Sequence, residues 1–202
     1  VPILAAKLSL PMLRRIIIFA IILLAPPVYA RTAAFEDSEA RGFIQRVVEG
    51  TFRLDYEPAL LTADSLESIL PGHPIVPLLK TGVYYCRMLD FEDMLDIEPF
   101  QQNYDAAWQK TEALRKSGEP AEADLYFGVL LGFKALLHQR RGQWWPAVKV
   151  GMKSVGYLKD CLKKDPGYAD AYLGVGTYKY WRSRATDFIN WLPLIPDEKQ
   201  EG

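Results

Sequence analysis

The sequence predicts an all-α chain built as an α-solenoid, a stack of antiparallel helix pairs with some lengthened helices. Three observations predict it. After Ala30 no strand-like alternation of any length occurs, while apolar residues recur at helical spacing. That spacing is interrupted at short intervals by proline and glycine, which end one helix and open the next. The stretch from Lys164 to Tyr178 has the form of a joint between two pairs. Pro166 stops a helix, and Ala169, Ala171, Tyr172, Val175 and Gly176 begin another in which small residues admit a neighbouring helix.

Taken in order, the first helix is expected over Glu36 to Phe52, with Phe43, Ile44, Val47 and Val48 on one face. The turn Leu54 to Pro58 leads to a second over Ala59 to Leu70, ended by Pro71-Gly72-His73-Pro74. The third covers Ile75 to Leu89 and turns at Asp90-Phe91. A fourth segment reaches Lys116 with an interruption near Glu98-Pro99. Ser117-Gly118-Glu119-Pro120 is a firm break, since glycine suits a helix C-terminus and proline the first position of the next helix. Long helices follow over Ala121 to Arg140 and Ala147 to Lys164, separated by Arg141 to Pro146. A seventh runs from Tyr168 to about Ser183.

The N-terminus reads differently. Arg14 and Arg15 precede an apolar run of ten residues, Ile16 to Ala25, and then Pro26, Pro27 and Val28-Tyr29-Ala30. This is the charged, apolar, small-residue order of a secretory signal peptide, with cleavage expected after Ala30. The run is short for a bilayer span; an uncleaved anchor is the alternative, and then the only membrane contact. Met12 is the expected start, which makes residues 1–11 an upstream extension. The organisation is thus residues 1–30 as extension plus signal and residues 31–202 as a helical repeat domain, exported to the periplasm or beyond.

Composition narrows the function classes. Half of the 202 residues are apolar and a quarter charged, an ordinary globular mix. Without Lys7, Arg14 and Arg15, 21 Lys and Arg stand against 25 Asp and Glu, a net charge of about −4 that gives no reason to expect nucleic acid. Cys86 and Cys161 could pair in an oxidising compartment. Both lie in apolar helical patterns, where cysteine packs as a small hydrophobe, and that reading is preferred. Two cysteines and two histidines, far apart, show no metal-ligand spacing, and no cofactor motif is found. Gly174-Val175-Gly176 lacks the third glycine of a nucleotide loop, with Lys179 in its place, and reads as close helix packing. The acids Asp90, Glu92, Asp93, Asp96 and Glu98 lack the glycine of a calcium loop and read as a solvated face or turn. His73 is expected exposed in its turn, and His138 packed against a partner helix. No nucleophile elbow is present.

The residues carry a likeness at this point. The chain resembles the tetratricopeptide-repeat family. Tyr172, Val175 and Gly176 match the first-helix part of its pattern, Pro166 after Asp165 the end of a repeat, and Gly142 and Ala147 a turn and second-helix alanine. Leu78, Gly82, Tyr85 and Phe91 match an earlier repeat, and Tyr56, Ala59 and Pro71 half of the first. Ala147 to Pro166 is nineteen residues where the family has about twelve; the seven extra are two helical turns, so the core-facing side is kept. Residues 168–202 are similar to exported bacterial repeat proteins of undefined role. The seventh helix lacks a partner before Gly202, so more protein is expected to follow.

The resemblance implies a concave wall lined by first helices. Transfer of its inward positions names Asp170, Leu173, Thr177, Tyr180 and Trp181; Leu79, Val83, Cys86 and Arg87; and Gly132, Leu136, Gln139 and Arg140. Of these, Arg87, Arg140, Thr177, Tyr180 and Trp181 are the expected contacts to a peptide, by bidentate arginine and aromatic stacking. The expected function is a non-enzymatic protein- or peptide-binding scaffold of the bacterial cell envelope. The alternative is a small-molecule-binding helical component associated with a tripartite-type solute transporter, which needs an enclosed apolar pocket.

Overall fold

The computed structural model describes residues 38–189, with side chains to 180. The expected signal segment with its cleavage point at Ala30, and the side chains of the aromatics beyond Tyr180, lie outside what it describes. Seven helices and no strand occur among the described residues: α1 (Ser38–Phe52), α2 (Tyr56–Ile69), α3 (Ile75–Asp90), α4 (Ile97–Lys116), α5 (Pro120–Arg140), α6 (Trp144–Lys164) and α7 (Ala169–Ile189). The all-α expectation holds.

Three helix starts differ from the sequence reading, for one reason. Pro58, Pro99 and Pro146 do not stand outside their helices; each is the third residue of one. The first N–H groups of a helix have no intrahelical acceptor, so a proline there loses no hydrogen bond. The helices therefore begin at Tyr56, Ile97 and Trp144, and α4 runs through Glu98-Pro99 unbroken.

The turns within the pairs α1–α2, α3–α4 and α5–α6 close alike. A residue in the left-handed region follows the helix, and the next N–H bonds back five residues: Asp55 to the Gly50 carbonyl at 2.9 Å, Asp93 to Met88 at 3.2 Å and Gln143 to His138 at 2.9 Å. Glycine occupies the left-handed position only in the third, as Gly142 (φ 72°); the others use Leu54 (φ 66°) and Glu92 (φ 57°). A non-glycine residue there costs about 1–2 kcal/mol.

Successive helices pack on one another, and α1–α3, α3–α5 and α5–α7 also touch. α5 is the central element. Every residue from Glu122 to Gly128 is buried, because α3, α4, α6 and α7 all reach it. Its approach to α6 depends on Gly128: a Cβ there would lie 2.5 Å from Leu158 Cδ2 and 3.3 Å from the Ser154 carbonyl. Gly174 of α7 meets the same leucine from the other side, a Cβ falling 2.4 Å from Leu158 Cδ1. The close approach expected at Gly174-Val175-Gly176 thus belongs to Gly174; a Cβ at Gly176 would meet open space.

Much of the aromatic content is core. Phe100, Tyr104 and Trp108 stack along α4 with centroids 6.1 and 6.2 Å apart, and Trp108 meets Phe127 of α5 edge-on at 4.6 Å. Phe127 continues to Tyr157 of α6 at 5.3 Å. Cys86 and Cys161 are free thiols on different helices, and burial pushes them up to about 11 and about 12.

Candidate functional site

Two segments of the sequence are pure in charge. Between Arg87 and Lys110 there are six acids (Asp90, Glu92, Asp93, Asp96, Glu98, Asp105) and no Lys or Arg. Between Asp124 and Asp160 there are six bases (Lys134, Arg140, Arg141, Lys149, Lys153, Lys159) and no Asp or Glu. Each carries large apolar residues that a buried core does not claim.

The fold brings these segments to one edge, where the three intra-pair turns lie side by side. Phe91 of the α3–α4 turn packs on Tyr56 at the start of α2, with centroids 6.3 Å apart. Arg87 grips Asp96 with two hydrogen bonds of 2.5 Å and pairs with Glu57 of α2. The Asp96 carboxylate holds its guanidinium above its ordinary value, against the opposing effect of burial. Arg140 at the end of α5 donates to the Asp93 carbonyl at 2.7 Å. The α3–α4 turn is thus clamped from both sides by arginines.

On this clamped edge the apolar side chains face water. Leu95 is 84% exposed, Phe91 64%, Trp145 67%, Trp144 59% and Leu54 49%. Val148 and Met152 continue the row along α6. Leu54 holds a left-handed backbone conformation and buries half of its side chain at most, so neither backbone preference nor packing accounts for a leucine there.

Seen against this surface, the residues named from the sequence divide. Arg87 and Arg140 lie on the edge, but as clamps of the α3–α4 turn. Val83 is buried against α1 and α2, and Leu79 and Cys86 pack beside it, so these three are not open wall positions. This face of α3 covers the preceding pair. Leu136 and Leu173 are exposed, and Tyr180 is 37% exposed, while Thr177 is half-buried. The Trp181 side chain lies outside the described residues. The edge itself was missed in the sequence because Trp144-Trp145 was read as a turn and the acids as a solvated face; the missing sign of charge in each segment was the available signal.

The opposite edge holds the α2–α3, α4–α5 and α6–α7 turns, and there polar groups are buried and bonded. His73, expected exposed, is largely buried; its side chain lies under α5. Nδ1 accepts the Ile75 N–H at 3.2 Å, and Nε2 lies 3.4 Å from Glu122 Oε1 but off the hydrogen-bond line. Tyr126 donates to the same oxygen at 2.7 Å. Asp124, equally buried, pairs with Arg115 of α4 and Lys164 of α6. Arg115 also lies over the rings of Phe127 and Tyr157, at 4.6 and 5.4 Å. An open cavity of about 400 Å³ sits between the α2–α3 turn and the end of α4. Its Lys110 is bonded to Glu67, which also accepts the Gly72 N–H. His138, placed by the sequence in a packing role, bonds Gln143 of its own turn at 2.6 Å.

No group of His, Cys, Asp and Glu among the described residues could hold a metal ion, and no described helix is long and apolar enough to cross a membrane. No family model, curated protein or solved structure matches the chain.

Proposed function

We propose that the chain is a non-enzymatic helical-repeat scaffold of the tetratricopeptide kind, exported to the bacterial cell envelope, where it binds a protein or peptide. The observation that carries this reading is the exposed apolar row at the intra-pair edge, held in place by Arg87 and Arg140 before any partner arrives. Grouped apolar side chains rimmed by charge mark interaction surfaces on soluble chains. A surface fixed in advance spends little entropy on binding. The solenoid arrangement draws support from the contacts of α1 with α3, α3 with α5, and α5 with α7, which repeat with a period of one pair. The buried carboxylates are already engaged, Asp124 in contacts between helices and Glu122 by Tyr126 of its own helix, which favours a structural role for both. The cavity beside His73 supports the small-molecule alternative less well, because Lys110 in its lining is already bonded to Glu67.

The test is capture from envelope extract by the full chain and by Leu95→Asp and Trp145→Asp variants, with thermal unfolding measured in parallel. The scaffold reading expects a defined set of captured proteins that both variants lose without a change in melting temperature. Capture that neither variant alters removes the edge as the binding surface. Export is tested separately, by fusing the first 37 residues to a reporter active only outside the cytoplasm.

A further inference from the structure

The edge is divided in charge as well as apolar throughout. Its α3–α4 part carries Phe91 and Leu95 in a stretch whose charged residues are all acids, of which Asp96 pairs with Arg87, and its α5–α6 part carries Trp144 and Trp145 in a stretch whose charged residues are all bases. The two parts adjoin at the bond from Arg140 to the Asp93 carbonyl. A surface of this kind is complementary to itself when turned by half a revolution: acid meets base, and aromatic meets leucine, twice over. That is the requirement of an isologous contact. An anionic membrane or nucleic acid would be attracted by one half and repelled by the other. A purely basic peptide would leave Trp144 and Trp145 uncovered.

We propose that the occupant of this edge is a second copy of the same chain, docked antiparallel about a two-fold axis near the Arg140–Asp93 contact. The proposal rests on the edge being the binding surface, and it names the partner. The acids around Phe91 and Leu95 of one protomer oppose Arg141 and Lys149 of its partner, and the reverse holds on the other side of the axis. The apolar rows close over one another between the charged flanks. Because the charges are exposed before association, the contact weakens as salt rises.

The experiment uses the full chain in analytical ultracentrifugation. One variant carries Glu92→Lys with Glu98→Lys, which sets lysines against the partner's Arg141 and Lys149; a second carries Arg141→Glu with Lys149→Glu, which sets glutamates against the partner's Glu92 and Glu98. The wild-type chain is expected to sediment as a dimer, and each variant to self-associate about tenfold or more weakly. An equimolar mixture of the two variants is expected to regain the dimer, because the introduced lysines of one then face the introduced glutamates of the other. All four positions are exposed, and circular dichroism checks that both variants remain helical. A monomeric wild-type chain overturns the proposal, as do variants that dimerise undiminished or a mixture that fails to recover. A monomer that still loses envelope partners through Leu95→Asp overturns self-pairing and leaves the scaffold reading in place. A monomer that instead co-sediments with phosphatidylglycerol vesicles overturns it in favour of a membrane surface.

Discussion

The two edges of the molecule treat exposure in opposite ways. At the inter-pair edge the chain buries Glu122, Asp124 and His73 and supplies each with polar neighbours, Asp124 from both α4 and α6. At the intra-pair edge it leaves two tryptophans, a phenylalanine and two leucines in water and uses its arginines to hold them there. One edge is arranged around joining helix pairs to each other, the other around something beyond the pairs. A residue's chemistry alone does not tell the two apart; what surrounds it does.

The comparison can be broken by substitutions that should matter greatly on one side and hardly on the other. The largest effect is expected at Leu158, which fills the space left by Gly128 and Gly174. Leu158→Ala should lower stability by about 2–5 kcal/mol in urea denaturation. Gly128→Ala forces that leucine and the Ser154 carbonyl aside, with an expected loss of about 1–3 kcal/mol and a smaller loss at Gly174, where only the leucine must move. Tyr126→Phe leaves the buried Glu122 carboxylate without its donor and should cost about 1–3 kcal/mol by the same measurement. On the other edge, Phe91→Ser and Leu95→Ser should each change stability by about 0.5 kcal/mol or less. A loss as large as that at Tyr126 would show that the apolar row is core and not surface.

The smallest expected effect is in pH dependence. Burial raises the Asp170 carboxyl above its ordinary value near 3.8, so the unfolded chain ionises there first and the folded chain is penalised as pH rises. Asp170→Asn should therefore raise the denaturation midpoint at neutral pH and leave it unchanged well below that ordinary value. Glu67 provides the opposite sign. Burial raises its carboxyl, but the hydrogen bonds from Lys110 and the Gly72 N–H outweigh that and lower it below 4.5. Its contribution is present above that value and is lost as pH falls through the lowered one. A Glu67→Gln variant should lose midpoint at neutral pH and converge with the wild-type chain in acid.

Helix number, type and most boundaries were legible in the sequence, because the apolar period and its punctuation are local. The misplaced starts at Pro58, Pro99 and Pro146 come from reading proline as a terminator when it also sits in a first turn. Register was not legible. Val83 and Cys86 follow the expected spacing, but which neighbour that face meets depends on how α3 lies against α1 and α2. The candidate edge was half legible: its two charge-pure segments are in the sequence, while their adjacency follows from the fold, as in the contact of Arg140 with Asp93. His73 shows the remaining limit, since a histidine between Gly72 and Pro74 in a turn gives no sign that α5 will cover it.

The complete enclosure of residues 122–128 in α5 has a kinetic meaning. Repeat arrays often fray from their ends, each unit opening nearly on its own. Here the amides of the innermost turn are sheathed by helices drawn from three different pairs, so they can exchange with deuterium only when all those neighbours let go. Their protection should equal that of the entire molecule, and melting should be a single cooperative event.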